Sequence, residues 1–481
     1  MEWSQIVFWV EIILFLLNIL FAGIVIFVER KNPTVTLTWI LVFVVLPYIG
    51  FIIYLLVGQN FSGRKLFKEK AKIDEYKLKI LKEKKSTGLQ EELLNNKYLD
   101  LIKMNYNNCD SLYVTKNEVE IFVTGKDKFD ALLKDLKNAK KYIHIDYYIF
   151  RKDEIGTEII EVLEEKLKEG IEVKLLVDDF GSTDLTKKGR LDNYLKLGGE
   201  FASFFPRILS YINPRVNYRN HRKMVVIDGE YGYIGGYNVG DEYLGRDPKI
   251  GNWRDTHIKI RGEAVGLINE RFILDWCYAA KKEINNFEKF KYDGDLREGD
   301  VSMQIVTSGP DHTEEYIKNA YVKMITSAKK SIRMTTPYFI PDDVMLESLK
   351  IAALSGIDVQ IIIPGNPDRK FLQWVANSYV ETLIEAGVKV YHYNNGFVHA
   401  KVLAIDSEVV SIGSANMDIR SFRLDFEIVS IMYNSEMAKS AEKQFEDDLE
   451  YSTELIKEEF RKRGRRIKIL ESITRLLSPV L

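Results

Sequence analysis

The sequence is poor in cysteine, histidine and net charge. Its 481 residues include two cysteines and six histidines, and the formal net charge is −2. Cys109 and Cys277 form no disulfide framework, so we expect reduced thiols, and no metal-ligand spacing predicts a zinc site. A near-neutral chain gives no general electrostatic reason to bind nucleic acid. With 46% hydrophobic residues and eleven prolines, the composition excludes a largely disordered chain.

Two long apolar runs open the chain. They predict helices at about 6–28 and 35–57, each able to cross a hydrocarbon core of about 30 Å. The short turn "ERKNP" between them makes residues 1–60 a transmembrane helical hairpin. A cleaved signal peptide is the weaker interpretation, because the first run lacks a basic leader and a small-residue cleavage site. Glu11 and Asn18 interrupt the first run, and we expect their shared face to meet a partner helix.

A lysine-rich segment follows the hairpin, inside a basic linker at 61–110. The positive-inside tendency places this segment, and everything after it, on the cytoplasmic side. Two interpretations of the segment stay open: it rests on an anionic membrane surface, or it is an ordinary solvated helix.

The C-terminal segment, 451–481, is predicted to be a basic amphipathic helix. One helical stripe is apolar, with arginines and a lysine largely elsewhere; it consists of Ile469, Leu470, Ile473, Leu476 and Leu477. This pattern is typical of a helix in the membrane interface. Packing against the protein's own core explains the stripe equally well but explains the arginines poorly.

The region between these ends is an internal duplication. From about Thr115, apolar strands alternate with helical patterns, which predicts an α/β fold. Three segments then recur in the same order, roughly 180 to 190 residues apart: "KKYIHIDYYIF" and "KKSIRMTTPYFI", "GIEVKLLVDD" and "GIDVQIIIPG", and the two segments that begin with a histidine. We therefore expect two duplicated domains, at 111–295 and 296–450.

The last repeated segment contains the chemistry. "HRKMVVIDGEYGYIGGYN" begins at His221, and "HAKVLAIDSEVVSIGSAN" begins at His399. A lysine two residues after each histidine, Lys223 or Lys401, projects to the same face of a strand. Asn238 and Asn416 stand 17 residues after their histidines.

If the halves pack with pseudo-twofold symmetry, these six side chains converge on one cleft. Lysine and asparagine donors would hold a phosphate without a metal, and one imidazole would attack phosphorus while the other protonates the leaving oxygen.

The two H-x-K-x4-D patterns, His221/Lys223/Asp228 and His399/Lys401/Asp406, resemble the phospholipase D superfamily. Further stretches are similar to the bacterial cardiolipin synthases within it: "ERKNP", "GQN", "GDEYLGRDPKIGNWRDTH", "SGPD" and the terminal "LLSP". The resemblance implies two phospholipase D-like α/β/α sandwich domains packed with pseudo-twofold symmetry, in a multi-pass protein of the bacterial inner membrane. It also implies a phosphatidyltransferase that makes cardiolipin and glycerol from two phosphatidylglycerol molecules, with no cofactor.

The same resemblance implies roles for individual residues. His221 is the expected nucleophile, and His399 the expected general acid and then base. Each histidine is expected to be oriented by a downstream carboxylate of its own half, Asp255 for His221 and Glu427 for His399. Asp228 and Asp406 complete the motif, and their place at strand ends indicates structural salt bridges.

Three alternatives remain open at this stage. A hydrolytic, membrane-bound phospholipase D would use the same residues and release phosphatidic acid. A nuclease of the superfamily is disfavoured by the near-neutral charge and the spanning helices. A catalytically inactive scaffold is disfavoured because both motifs are intact.

Overall fold

The computed structural model describes residues 3–27, 33–47, 49–54, 67, 70, 74, 96–205, 217–282, 299–476 and 478. Most of the expected basic linker at 61–110 lies outside these residues. The same is true of the end of the second apolar run and of the terminal "LLSP", apart from Leu476 and Ser478.

The helices are, in chain order, α1 (Trp3–Phe27), α2 (Pro33–Val45), α3 (Gly50–Ile53), α4 (Leu99–Cys109), α5 (Gly125–Lys137), α6 (Glu154–Lys168), α7 (Asp192–Lys196), α8 (Glu263–Ala280), α9 (Tyr316–Ser327), α10 (Asp343–Leu354), α11 (Lys370–Glu385), α12 (Ile419–Arg423), α13 (Ser435–Leu449), α14 (Lys457–Arg461) and α15 (Arg465–Arg475).

The strands are β1 (Tyr113–Phe122), β2 (Tyr142–Tyr147), β3 (Glu172–Asp178), β4 (Glu200–Phe204), β5 (Arg219–Asn220), β6 (Lys223–Ile227), β7 (Tyr231–Gly235), β8 (Trp253–Arg254), β9 (His257–Arg261), β10 (Val301–Ser308), β11 (Ser331–Thr335), β12 (Phe339–Ile340), β13 (Asp358–Pro364), β14 (Lys389–Tyr393), β15 (Phe397–Val398), β16 (Val402–Ile405), β17 (Val409–Gly413), β18 (Met417–Asp418), β19 (Asp425–Met432) and β20 (Ser452–Glu454).

The hairpin agrees only in part with the expectation from the sequence. Helix α1 is long and apolar enough to span a membrane, whereas α2 is a shorter apolar helix of 13 residues. The expected continuous helix at 35–57 is wrong, because the chain bends at Leu46 and Pro47 before α3 begins. Proline has no N–H to donate and disfavours helical backbone in the residue before it. The side-chain amide of Asn18 donates to the carbonyl of Pro47 and so meets the second apolar run, while Glu11 is exposed.

One mixed sheet runs through both halves of the molecule. Its order in the first half is β1-β9-β7-β6-β2-β3-β4, and in the second β10-β19-β17-β16-β11-β13-β14, followed by β20. Each half pairs its strands in the same sequence, with parallel β2-β3-β4 matching parallel β11-β13-β14. The halves join through antiparallel pairing of β1 with β10. The expected duplicated α/β fold is therefore confirmed.

The sheet is buried on both faces by helices. Strand β2 is buried at all six positions, and β6 at all five, which is why both read as continuous apolar runs. In the first half α5 and α6 pack on one face, and α8 lies on the other within a core that includes residues of β16, β17 and β19. That second core is shared between the halves, so the two domains are fused rather than merely tethered.

The motif aspartates lie in turns at the far ends of β6 and β16, the strands that follow the motif histidines. Asp228 is separated from Lys223 by the length of β6, roughly 16 Å at about 3.3 Å per residue. Its carboxylate accepts hydrogen bonds from the backbone N–H groups of 140–142 at 2.7 to 3.0 Å, and Asp406 accepts from those of 329–331 at 2.7 to 3.1 Å. The expected salt bridges are therefore largely wrong: Lys97 lies 3.9 Å from Asp406, but the main partners of both carboxylates are backbone amides.

Substituting Asp228→Asn should lower stability without altering the chemistry. Asparagine tolerates the left-handed backbone conformation at φ 56°. Its neutral amide, unlike the carboxylate, cannot offer two charged oxygens to the three backbone N–H groups. We expect a loss of about 1–3 kcal/mol of unfolding free energy. Thermal unfolding in detergent measures it, with Asp447→Asn on the exposed face of α13 as the matched control. Equal unfolding midpoints for the two variants would contradict this structural role.

Candidate active site

Each motif histidine is positioned by a short strand that crosses to the other half. Strand β5, directly before His221, pairs in parallel with β19 of the second half, and the His221 N–H donates to the Phe426 carbonyl at 3.0 Å. Strand β15, directly before His399, pairs in parallel with β8 of the first half, and the His399 N–H donates to the Arg254 carbonyl at 2.6 Å. The two crossings are related by the pseudo-twofold symmetry and bring both histidines to the junction of the halves.

The crossings exchange the carboxylate partners of the histidines. His221 Nδ1 lies 2.8 Å from Glu427 Oε1, and His399 Nδ1 lies 2.6 Å from Asp255 Oδ2. The pairing expected from the sequence, with each carboxylate serving its own half, is therefore wrong. The exchange follows from strand pairing. Strand β5 places His221 beside β19, which begins two residues before Glu427. Strand β15 likewise places His399 beside β8, which ends one residue before Asp255.

Both carboxylates are completely buried, whereas the two imidazoles keep some exposure. The side chains of His221 and His399 are 12% and 8% exposed, and those of Glu427 and Asp255 are 0% exposed. A carboxylate on Nδ1 favours the tautomer in which Nδ1 donates to it. In that tautomer Nε2 holds the lone pair, ready for nucleophilic or proton-transfer chemistry.

The motif lysines lie beside the histidines and carry perturbed pKa values. Lys223 Nζ donates to the His221 carbonyl at 2.6 Å, and Lys401 Nζ lies 2.9 Å from His399 Nδ1. Burial lowers the pKa of Lys223 to about 7 and that of Lys401 to about 8, against the opposing effect of the buried carboxylates. At neutral pH both lysines are thus close to their titration range, and an anion beside them would favour their protonated forms.

The imidazoles are held neutral. Burial, and then Lys401, lowers the pKa of His399 to about 4, although Asp255 acts in the opposite direction. Burial and Lys223 lower the pKa of His221 well below its ordinary value, and Lys401 of the other half adds to this effect. Residues of both halves thus act on each imidazole, as expected of one shared site.

The two carboxylates differ in proton affinity. Burial raises the pKa of Glu427 to about 7. Burial also raises that of Asp255, but Lys401 and His399 outweigh it, so the net pKa of Asp255 lies below its ordinary value. The Asp255–His399 pair is therefore more strongly polarised than the Glu427–His221 pair.

The Gly-x-x-Asn segments surround the two carboxylates differently, and the hydroxyl donor beside Glu427 lowers the pKa of that group and so opposes the effect of burial. Ser414 Oγ donates to Glu427 Oε2, whereas the matching residue of the first half is Gly236. A Cβ at Gly236 would lie 2.0 Å from Asp255 Oδ1, so only glycine fits there. Glu427 therefore has a hydroxyl donor at this position, whereas Asp255 accepts instead from the Thr256 N–H at 2.7 Å.

The two motif asparagines differ as well. The Asn238 side chain is engaged, since its Oδ1 accepts from the Ile149 N–H and its Nδ2 donates to Tyr243 Oη, both at 3.1 Å. Asn416 is 6% exposed, and its Oδ1 has no hydrogen-bond partner among the described residues. Of the two side chains, only that of Asn238 thus has both its amide oxygen and its amide nitrogen engaged.

Aromatic side chains that the sequence analysis did not single out line the site. The ring of Tyr148 lies 4.9 Å from that of His221, and the rings of Trp253 and Tyr338 lie 5.1 Å and 6.4 Å from that of His399. Tyr148 and Tyr338 occur in the first pair of repeated segments, and this repetition was a sequence signal that could have marked them as site residues. Trp253 lies in β8 of the first half, and nothing in its local sequence predicts its contact with His399.

This arrangement is that of a phospholipase D-like protein with two half-sites in one chain. Two imidazoles, each polarised by a buried carboxylate, flank a position next to two lysines, which suits attack on a phosphodiester and protonation of its leaving oxygen. Within the described residues, no group of three or more His, Cys, Asp or Glu side chains is placed to hold a metal ion.

Comparisons with known proteins agree with this class. The family model "Cardiolipin synthase, PLD-like domain" matches residues 132–253 and 321–449, and a "Phospholipase_D-nuclease N-terminal" model matches 16–59. A cardiolipin synthase of Clostridium perfringens is 48% identical over 94% of this chain and 96% of the relative. One of Staphylococcus aureus is 46% identical over 97% and 95%. The chain belongs to the cardiolipin synthase family, and it is an enzyme of the phospholipase D superfamily.

A solved structure shows the same fold at low sequence identity. The phosphatidylserine synthase of Haemophilus influenzae superimposes with a TM-score of 0.62 at 17% identity, covering 79% of this chain and all of that chain. The likeness concerns the fold alone.

Removing one carboxylate at a time should perturb the histidine of the opposite half. In Asp255→Asn we expect a lower pKa of His399, because the carboxylate raises it, and no change at His221; Glu427→Gln should alter the titration of His221 alone. NMR of the 15N-histidine-labelled protein measures both. Asp228→Asn is the control that should change neither, and an effect of Asp255→Asn on His221 alone would refute the exchanged pairing.

Proposed function

We propose that the protein is a cardiolipin synthase that transfers a phosphatidyl group from one phosphatidylglycerol to another through a phosphohistidine. The observation that carries this proposal is the exchanged pair of buried dyads, His221–Glu427 and His399–Asp255, beside two lysines. Family membership supports phospholipid substrates, and the apolar α1 supports membrane association.

In the first half-reaction, His221 Nε2 attacks the phosphorus of phosphatidylglycerol. The bond between phosphorus and the head-group glycerol oxygen breaks, and His399 delivers a proton to that oxygen, so that glycerol leaves. Glu427 stabilises the positive charge that develops on His221. Lys223 and Lys401 offset the charge on the phosphoryl oxygens.

In the second half-reaction, His399 takes the proton from a free hydroxyl of another phosphatidylglycerol. That oxygen attacks phosphorus, the phosphorus–nitrogen bond of His221 breaks, and cardiolipin forms. Burial keeps His399 neutral in the empty site, and an anionic phosphate alongside, present in both half-reactions, would raise its pKa toward the range in which it can give and take a proton. The asparagines are proposed to position the phosphate, to whose oxygens their amide nitrogens can donate.

We further propose that residues 1–60 span a bacterial inner membrane as a hairpin and that the two catalytic halves, at 111–295 and 296–450, lie on the cytoplasmic side. The lysine-rich start of the 61–110 linker supports this orientation. Nucleic acid is not a proposed partner.

A labelled phosphatidyl group should be trapped on one histidine. Purified protein in lipid nanodiscs with phosphatidylglycerol labelled on its phosphatidyl phosphorus should make cardiolipin and glycerol, with label on His221. His221→Ala and His399→Ala should each lower the rate by at least about 100-fold.

Three outcomes would contradict parts of the proposal. Phosphatidic acid as the main product would make the protein a hydrolase. Label on His399 would reverse the roles of the histidines. Cardiolipin synthesis at the normal rate by both alanine variants would refute the site.

A further inference from the structure

The C-terminal helix α15 buries a polar side and exposes an apolar one. Ile469, Ile473 and Leu476 are 58%, 56% and 78% exposed, whereas Glu471 is 3% exposed. The described residues of the stripe, which exclude Leu477, therefore do not pack on the protein's own core. An apolar helix face turned to solvent is costly unless something covers it.

Ionic contacts hold the helix in this orientation. Arg463, just before α15, donates to Glu471 at 3.0 Å and to Glu381 of α11 at 3.3 Å. At the other end of α15, the Arg475 guanidinium lies 5.0 Å from the centre of the Tyr379 ring. These contacts fix the apolar side outward.

The supporting helix leads to the active site. Arg461 forms an ion pair with Glu385 at the C-terminal end of α11, and Arg475 contacts Tyr379 nearer to its N-terminal end. The C-terminal segment therefore runs along α11 toward the N-terminal end of that helix. Just before that end, Asp368 accepts a hydrogen bond from Tyr338 at 2.8 Å, and Tyr338 lies beside His399. Helix α15 therefore belongs to the His399 side of the cleft.

We propose that α15 lies in the interface of an anionic phospholipid bilayer and holds the His399 side of the cleft against it. Arg465, Arg466 and Lys468 lie on the same helix and complement anionic head groups, while the exposed stripe enters the acyl boundary. The bilayer is the one that α1 enters, so the helix needs no separate recruitment. The role in lipid delivery rests on the proposed function, but the bilayer contact does not.

A spin label on the apolar stripe tests the contact. Ile473→Cys, in a full-length chain with Cys109→Ser and Cys277→Ala, is labelled and placed in nanodiscs of phosphatidylglycerol or of phosphatidylcholine. We expect the label to be reached by oxygen and shielded from a water-soluble nickel chelate, more strongly with phosphatidylglycerol. Leu195→Cys on α7, also apolar and 49% exposed, is the control that should stay open to the chelate.

Two results would overturn this proposal. One is a water-exposed label at 473 in both nanodiscs. The other is shielding of the label in detergent together with label–label coupling, which would indicate a second copy of the chain.

A parallel activity assay separates this proposal from the proposed function. Ile473→Gln should slow cardiolipin synthesis from vesicles several-fold and leave turnover of a short-chain, water-soluble phosphatidylglycerol unchanged. No product from either substrate, in the unmodified protein, would refute the function instead.

A different observation concerns the segment that follows the hairpin. Lys70 Nζ lies 2.7 Å from Asp74, 3.0 Å from Asp311 and 3.4 Å from Asp275, and all four side chains are at most 2% exposed. Residues 67, 70 and 74 are helical, and Phe67 packs on the ring of Phe426 at 5.3 Å. These three residues, which follow the hairpin in the chain, are thus buried in the catalytic body.

The same cluster reaches the active site through Arg222, which lies between His221 and Lys223. Arg222 donates to Asp275 at 2.5 Å, to the Glu427 carbonyl at 3.1 Å and to the Ser308 carbonyl at 3.2 Å. Arg271 is bonded to Asp275 and Asp74. Three carboxylates are therefore balanced by three cations, and one of these cations comes from the membrane-proximal segment.

We infer that Lys70 is a positioning residue for the His221–Glu427 dyad. Without its ammonium the cluster holds an excess buried negative charge, which draws Arg222 away from the Glu427 carbonyl and changes the dyad geometry. The catalytic effect rests on the proposed function.

A charge-balanced rescue tests this inference. With the short-chain phosphatidylglycerol in detergent, Lys70→Met should lower kcat at least tenfold with less than a twofold change in KM. Adding Asp311→Asn should restore most of the kcat.

Lys174→Met is the control. It removes a lysine that is likewise buried between two carboxylates, Glu172 and Glu200, and should reduce thermal stability but not kcat. A normal kcat in Lys70→Met, or no rescue by Asp311→Asn in folded protein, would overturn the inference, whereas a lack of product in the unmodified chain would refute the function.

Discussion

The hydrogen bond between each imidazole and a carboxylate of the other half is the interaction on which this structure depends. Neither half contains a complete dyad. The short parallel strands that carry the histidines across, the antiparallel junction of β1 with β10, and the core shared by α8 with strands of the second half all serve to hold these two contacts. A change in the docking of the halves by one ångström would loosen both dyads together.

The second constraint is charge. Two lysines, two carboxylates and two imidazoles are buried within one site, and the burial itself pushes most of their pKa values toward the neutral form. Such clusters are poor sources of stability, because desolvation offsets much of the attraction. The sheet and its helices tolerate the cluster because strands buried on both faces supply a large apolar core around it. A bound anion would stabilise the protonated lysines.

The duplicated α/β fold, the two motifs and their meeting in one site followed from the sequence, because repeat order and strand periodicity are local patterns. The exchange of the carboxylates could not be predicted from the sequence. It depends on β5 and β15, two-residue strands whose partners lie in the other half, and spacing along the chain does not reveal such a pairing. The backbone hydrogen bonds of Asp228 and Asp406 depend on a turn that meets the start of a neighbouring strand. Pro47 is a local signal for a bend, but the apolar composition of the second run favoured one continuous helix. The outward stripe of α15 depends on the burial of Glu471, which no helical wheel predicts.

The contrast between Gly236 and Ser414 has a genetic consequence. Duplicated coding sequences recombine, and exchange between the two repeats would tend to make them identical. Copying only the "GSAN" stretch of the second repeat onto the first would place a serine at position 236, where its Cβ would meet the Asp255 carboxylate at 2.0 Å. Such a product would lose the pairing on which His399 depends. The packing of one glycine against Asp255 is thus enough to keep the two repeats different at this position.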